Sequence, residues 1–173
     1  MNGDRYHLVE LPMGWMVLLR GKDGLKRASL KPTPQEAIED MGMDLEGADD
    51  DPDAFTEVVE CLRRYAAGDR TALDEIGLDF SGITPFFSAA WNACRSIPAG
   101  ETRSYAWLAA EAGSPLAMRA AGQAMARNRF SLIIPCHRVI ASDGGLGGYG
   151  GGGLGVKARL LQMELSENPE SAE

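Results

Sequence analysis

Three extended segments crowd into the first 31 residues, while nearly everything after residue 85 reads as helix. That uneven distribution restricts the fold more than any other feature. Tyr6-His7-Leu8-Val9-Glu10-Leu11, Trp15-Met16-Val17-Leu18-Leu19 and Leu25 to Leu30 are separated by Pro12-Met13-Gly14 and Gly21-Lys22-Asp23-Gly24, both turn-forming, so a strand meander is expected. Strands grouped at one end and helices at the other indicate an α+β chain. Thr33 and Pro34, with Glu36 behind them, open a short helix over residues 34–41. Residues 44–53 are acidic and read as a solvated loop, since no calcium-loop glycine pattern surrounds them. Phe55 to Ala67 places Phe55, Val58, Val59, Leu62, Tyr65 and Ala66 on one helical face, with Gly68 as the stop. A short extended stretch carrying Ile76, Leu78 and Phe80 precedes Pro85, and a boundary between two subdomains is expected at about residues 80–86.

In the second half, Phe86 to Ile97 forms a helix with Phe87, Trp91 and Cys94 at helical spacing. Ser104 caps a helix that reaches about Ala112 and ends at Gly113, and Pro115 opens another to about Arg127. Two short helices joined by Gly113-Ser114-Pro115 resemble a helix-turn-helix. The second carries Ala117, Ala120, Ala121, Gly122, Ala124 and Ala126; a surface that small admits either a bulky partner or a close-packed helix. Leu132-Ile133-Ile134 reads as a buried strand, and Val156 to about Glu164 as a last helix before an acidic tail.

The net charge of -8 argues at first against a polyanionic partner, but the charge is divided. Residues 1–85 carry -9, residues 86–164 carry +4, and residues 165–173 carry -3. The middle segment alone would attract nucleic acid. No apolar run approaches the roughly 18–20 residues of a membrane span. The first residues lack the basic and apolar pattern of a secretion signal, and three irregularly spaced cysteines fit a reducing compartment, so a cytoplasmic protein without a membrane partner is expected.

Chemistry concentrates at Cys136-His137. Pro135 fixes the chain just before the thiol, while His137 and Arg138 are neighbours able to favour the reactive thiolate. Cys61 and Cys94, set among apolar residues at helical spacing, read instead as small core residues. Downstream, residues 144–155 hold 9 of the chain's 21 glycines, a concentration that suggests a functional loop. Gly145, Gly147 and Gly150 formally match a dinucleotide fingerprint, but no strand–helix–strand unit can follow so near the C-terminus.

Ile134-Pro135-Cys136-His137-Arg138-Val139 resembles the active-site signature of the O6-alkylguanine-DNA alkyltransferases, the methylated-DNA–protein-cysteine methyltransferase family. The likeness continues through Gly100-Glu101, Ser104-Tyr105, Leu108-Ala109, Ala117-Met118-Arg119-Ala120, Asn128, Gly144, Gly148-Tyr149 and Lys157 to Glu164. It implies a small N-terminal ribonuclease H-like subdomain over residues 1–83, an alkyltransferase and DNA-binding domain over 84–166, and a tail over 167–173. It also implies DNA repair by a single-turnover transfer of an alkyl group from the O6 of a flipped guanine to Cys136. In that resemblance His137 draws the proton from Cys136 through a water, Glu164 orients His137, and Asn128 braces the turn. Tyr105 presses on the phosphate beside the flipped nucleotide and helps proton delivery to the departing guanine. Arg119 replaces the extruded base in the stack. Ala117, Ala120, Ala121 and Ala124 let the second helix lie in the minor groove of double-stranded DNA. Pro135, Tyr149, Gly150, Gly151 and Lys157 line the base pocket. A monomer without cofactor is expected.

This chain departs from the family pattern in a glycine run one residue longer and in Gly150, where Ser is usual; both touch the pocket wall. A structural zinc, present in some relatives, finds no ligand set, with His7 and His137 the only histidines. Two alternatives are a lesion-binding alkyltransferase-like protein, whose relatives lack the cysteine, and a Cys–His hydrolase.

Overall fold

The computed structural model describes residues 3–141 and 154–166. The chain divides into two compact units, Met1–Asp79 and Phe80–Glu173. In the first, β1 (Arg5–Leu11), β2 (Gly14–Gly21) and β3 (Gly24–Lys31) form the expected antiparallel meander. The β1–β2 turn needs glycine at position 14, where φ is +148° and a Cβ would stand 2.7 Å from the Lys31 carbonyl oxygen. Helix α1 (Pro34–Met41) starts as its sequence indicates, the Thr33 hydroxyl accepting the Glu36 N–H at 3.2 Å. It covers the sheet face bearing Tyr6, Leu8, Val17 and Leu19. The opposite face of β1 carries His7 against Phe55, at the start of α2 (Thr56–Ala66). Both faces of β2 are therefore covered, which is why Met16, Val17, Leu18 and Leu19 are all buried without alternation.

The acidic stretch is not simply a solvated loop. Asp49–Asp50 forms a short strand, β4, parallel to β1, because the Asp49 and Asp51 N–H groups reach the Asp4 and Tyr6 carbonyls. Arg5 holds Asp49 and Asp51 alongside.

The second unit is mainly helical. Thr84 caps α3 (Pro85–Arg95) and Ser104 caps α4 (Tyr105–Glu111), which follows β5 (Arg103–Ser104). Gly113, at φ +90°, ends α4 in a Schellman turn, its N–H on the Ala110 carbonyl and that of Ser114 on the Ala109 carbonyl. Helix α5 spans Met118–Ala126 and begins later than Pro115 suggested. The Ala117 N–H closes a tight turn on the Ser114 carbonyl at 2.8 Å, so the chain enters the helix only after it. Trp91 centres the core of this unit, its indole N–H on the Ala124 carbonyl at 2.9 Å and the rings of Phe80 and Phe130 edge-on against it. These contacts tie α3 to α5 and to the segment that leads into Cys136.

That segment corrects a second expectation. Leu132-Ile133-Ile134 is buried but is not a strand; the Ile134 N–H returns to the Phe130 carbonyl at 2.9 Å and Leu132 takes a φ of +73°. A leucine in that region costs about 1–3 kcal/mol and is tolerated only where surroundings over-determine it. A short 3₁₀ turn, Cys136–Arg138, and β6 (Val139–Ile140), parallel to β5, come next. Helix α6 spans Leu154–Ser166. Among the described residues no helix is long and apolar enough to cross a membrane.

Candidate active site

Asn128, just past α5, organises the approach to the thiol. Its side-chain oxygen accepts the Phe130 N–H at 2.9 Å, and its amide nitrogen donates to the Ile134 carbonyl at 2.9 Å and to the Cys136 sulfur at 3.3 Å. One side chain thus fixes both ends of the 130–134 turn and points an N–H at sulfur, where it favours negative charge. Cys136 itself is 5% exposed, and its own N–H closes on the Ile134 carbonyl at 2.8 Å.

His137 is fully buried against α6. Its Nε2 meets Glu164 Oε2 at 2.9 Å, while Nδ1 finds no hydrogen-bond partner among the described residues. Since Glu164 is an acceptor, Nε2 carries the proton and Nδ1 keeps its lone pair. Burial lowers the His137 pKa from its ordinary value despite the pull of Glu164, and Arg138 and Lys157 act in the same direction as burial. Burial alone would raise the Glu164 carboxyl, but the hydrogen bonds and charges of His137 and Arg138 outweigh it and hold the carboxyl far below the usual carboxylate range. The imidazole is thereby a neutral base and the carboxylate a fixed anion behind it. The Cys136 thiol is next to this pair in sequence.

Comparison with known proteins gives the family of the chain. A family model described as the 6-O-methylguanine DNA methyltransferase DNA-binding domain matches residues 85–166. The constitutive methylated-DNA–protein-cysteine methyltransferase of Bacillus subtilis is 37% identical over 160 residues, covering 92% of this chain and 94% of the relative. The chain belongs to the methylated-DNA–protein-cysteine methyltransferase family. A Mycobacterium bovis member is 46% identical over 119 residues, 69% of this chain and 70% of its own length. Among solved structures, a Mycobacterium tuberculosis member in complex with DNA superposes with a TM-score of 0.79 at 35% identity, covering 97% of both chains.

Other residues singled out from the family motif are dispersed around this centre. Tyr105 and Arg119 line one shallow, mainly apolar cavity of about 450 Å³ with Met118, Gly122 and Ala141. Burial, followed by the Cys136 thiol, raises the Tyr105 pKa, so its phenol stays protonated. Arg119 is exposed on α5. The alanines of α5 divide by face. Ala117 and Ala120 are partly exposed, but Ala121 and Ala124 are fully buried, and Ala124 receives the Trp91 N–H. Both side chains are taken up in the packing of the second unit. Lys157, expected at the pocket wall, is wholly buried with its amine on the Val139 carbonyl at 2.7 Å. Burial lowers its pKa. Pro135 is buried, its carbonyl accepting the Arg138 N–H at 2.8 Å. Tyr149, Gly150 and Gly151 lie outside the described residues. Cys61 and Cys94 are buried thiols, as apolar spacing indicates. Among the described residues no cluster of three or more His, Cys, Asp or Glu side chains could hold a metal.

Sequence reasoning missed the Glu164 partner of Arg138, whose guanidinium is turned onto that carboxylate. The missing signal is the burial of Glu164, 26 residues downstream, which a helix-end glutamate does not disclose.

Proposed function

We propose that this chain repairs O6-alkylated guanine in double-stranded DNA by moving the alkyl group irreversibly onto its own Cys136, once per molecule. What carries the reading is His137, with Nε2 committed to Glu164 and Nδ1 without a partner among the described residues, next in sequence to a thiol whose sulfur receives an Asn128 N–H. Lesion-binding relatives that do no chemistry lack the cysteine, and Cys136 is present here.

In the reaction, His137 Nδ1 takes the thiol proton through a water, and the sulfur attacks the alkyl carbon. The S–C bond forms as the C–O6 bond breaks, and the electron pair of that bond passes to the guanine. Tyr105, kept protonated by burial, donates a proton to the departing base, and the proton on His137 restores the balance. The products are guanine and S-alkyl cysteine, and no water attacks the new C–S bond. Glu164 stabilises the imidazolium while it exists. The base reaches the sulfur by leaving the stack, with α5 in the minor groove and Arg119 filling the gap. The DNA partner explains the positive balance of residues 86–164 within an acidic chain. We further infer a monomer acting in the cytoplasm, which suits a chain whose three cysteines are all thiols.

A duplex carrying one labelled O6-methylguanine tests this. The label should pass to protein and stop at one equivalent per chain. Continued release of label into solvent would indicate a hydrolase, and binding without transfer would indicate lesion recognition alone.

A further inference from the structure

Arg138 is 6% exposed and directs its guanidinium onto Glu164 and a backbone carbonyl. Its Nε donates to Glu164 Oε1 at 3.0 Å, one terminal nitrogen to Glu164 Oε2 at 2.7 Å, and the other to the Ile97 carbonyl at 2.7 Å. The carboxylate is gripped as a fork on both oxygens, and the guanidinium is anchored to the chain just past α3. Glu164 Oε2 accepts from Arg138 and His137 together.

We propose that Arg138 is a positioning residue for alkyl transfer: by sharing Glu164 with His137 it orients the carboxylate and balances its charge, so that His137 stays neutral and its Nδ1 remains able to take the Cys136 proton. The inference rests on the base assignment made under the proposed function. The charge balance makes the case. A lone buried carboxylate against an imidazole is relieved most cheaply by protonating the imidazole, and an imidazolium has no lone pair to accept a thiol proton. With Arg138 in place the anion already has a permanent partner. The carboxylate then holds His137 by a hydrogen bond instead of an ion pair. The other titratable groups around the site are Lys157 on α6, Cys136 in the turn, Cys94 on α3 and Tyr105 on α4. Lys157 cannot replace the fork, because its amine is directed to the Val139 carbonyl.

The test joins two readouts on the full chain. One is the NMR titration of the His137 ring, which is simple to assign because the chain has only 2 histidines and His7→Gln removes the other. The second is the pH profile of transfer from free O6-benzylguanine. Arg138→Gln should raise the His137 midpoint by about one pH unit or more, and move the acid limb of transfer up with it. Arg138→Lys keeps the charge and loses the fork, so it should slow transfer at every pH with the midpoint unmoved. An evenly slowed Arg138→Gln with both midpoints in place would mean a merely structural arginine and overturn the proposal. Should Arg138→Gln fail to fold, Arg138→Lys decides: a raised midpoint, or an unchanged rate, overturns it. If the wild-type chain is inert toward the free base, the alkyl-transfer reading fails, while the titration still reports on Arg138.

Discussion

Residues 3–79 and residues 80–166 use the same charged side chains in opposite ways. In the first unit Arg5, Arg27 and Arg64 meet aspartates and a glutamate at the surface, with side chains such as Asp44 and Asp49 more than half exposed. In the second, His137, Arg138 and Glu164 form a cluster almost wholly withdrawn from water. Surface pairs gain little over hydration, so they settle a loop such as 49–53 without defining it sharply. A buried cluster is costly to assemble and stays only in the geometry that satisfies every member. Among the described residues, the chain accepts that cost for a group of three next in sequence to the thiol, and this contrast separates the two units.

The largest test of the contrast is Glu164→Ala. It should slow alkyl transfer by about 10²–10⁴-fold, the range of a lost acid–base partner. It should also destabilise the fold by about 3–5 kcal/mol, since Arg138 is left buried without its anion. Denaturant unfolding and single-turnover transfer measure the two. A near-silent substitution would make the buried cluster equivalent to the surface pairs and break the comparison.

Arg119→Ala sharpens the contrast from within the second unit, because this cation is exposed. Repair of duplex DNA should fall at least about tenfold, an effect worth one stacking or wedge contact. Reaction with free O6-benzylguanine should hardly change. Equal losses on both substrates would place Arg119 in the chemistry and not on the DNA.

The pH dependence of stability follows from the directions of the two shifts. The unfolded chain protonates His137 near pH 6.5, whereas the folded site resists until lower pH. The unfolded state therefore binds more protons below about pH 6.5, and stability present above that point is lost as pH falls toward the folded value. Glu164, depressed in the fold, adds a second loss in stronger acid, once pH drops below the ordinary carboxylate range of about 4. Unfolding midpoints measured from pH 7.5 to 4.5 should fall, and His137→Gln should flatten the upper part of that fall. The smallest effect belongs to the first unit: Asp44→Ala should cost less than about 1 kcal/mol, because Arg27 keeps its contacts to Asp40.

Much of this architecture is legible in the residues themselves. Thr33-Pro34 and Ser104 announce helix starts that the structure keeps, and Gly68 and Gly113 end helices at the left-handed positions glycine favours. Such signals are local, set by one hydroxyl or one backbone angle. The illegible features depend on distant partners. Leu132-Ile133-Ile134 reports burial but has no period to separate a strand from a tight turn, and Asn128 decides in favour of the turn. Composition shows that the α5 surface is small; only the packed fold shows that Ala121 and Ala124 are buried. Glu164 and Lys157 look like solvated helix charges until the 136–139 segment is packed against them. Of the site, Cys136 and His137 stand out as chemistry from their own neighbours, while the roles of Glu164 and Tyr105 come from the family motif.

The most direct test of the account is intact-mass and peptide analysis after the chain is mixed with a duplex bearing a single O6-methylguanine. The account predicts one added methyl group, located on Cys136, with unmodified guanine restored in the DNA. A methyl on any other residue, or an unmodified protein still bound to an unrepaired duplex, would contradict it.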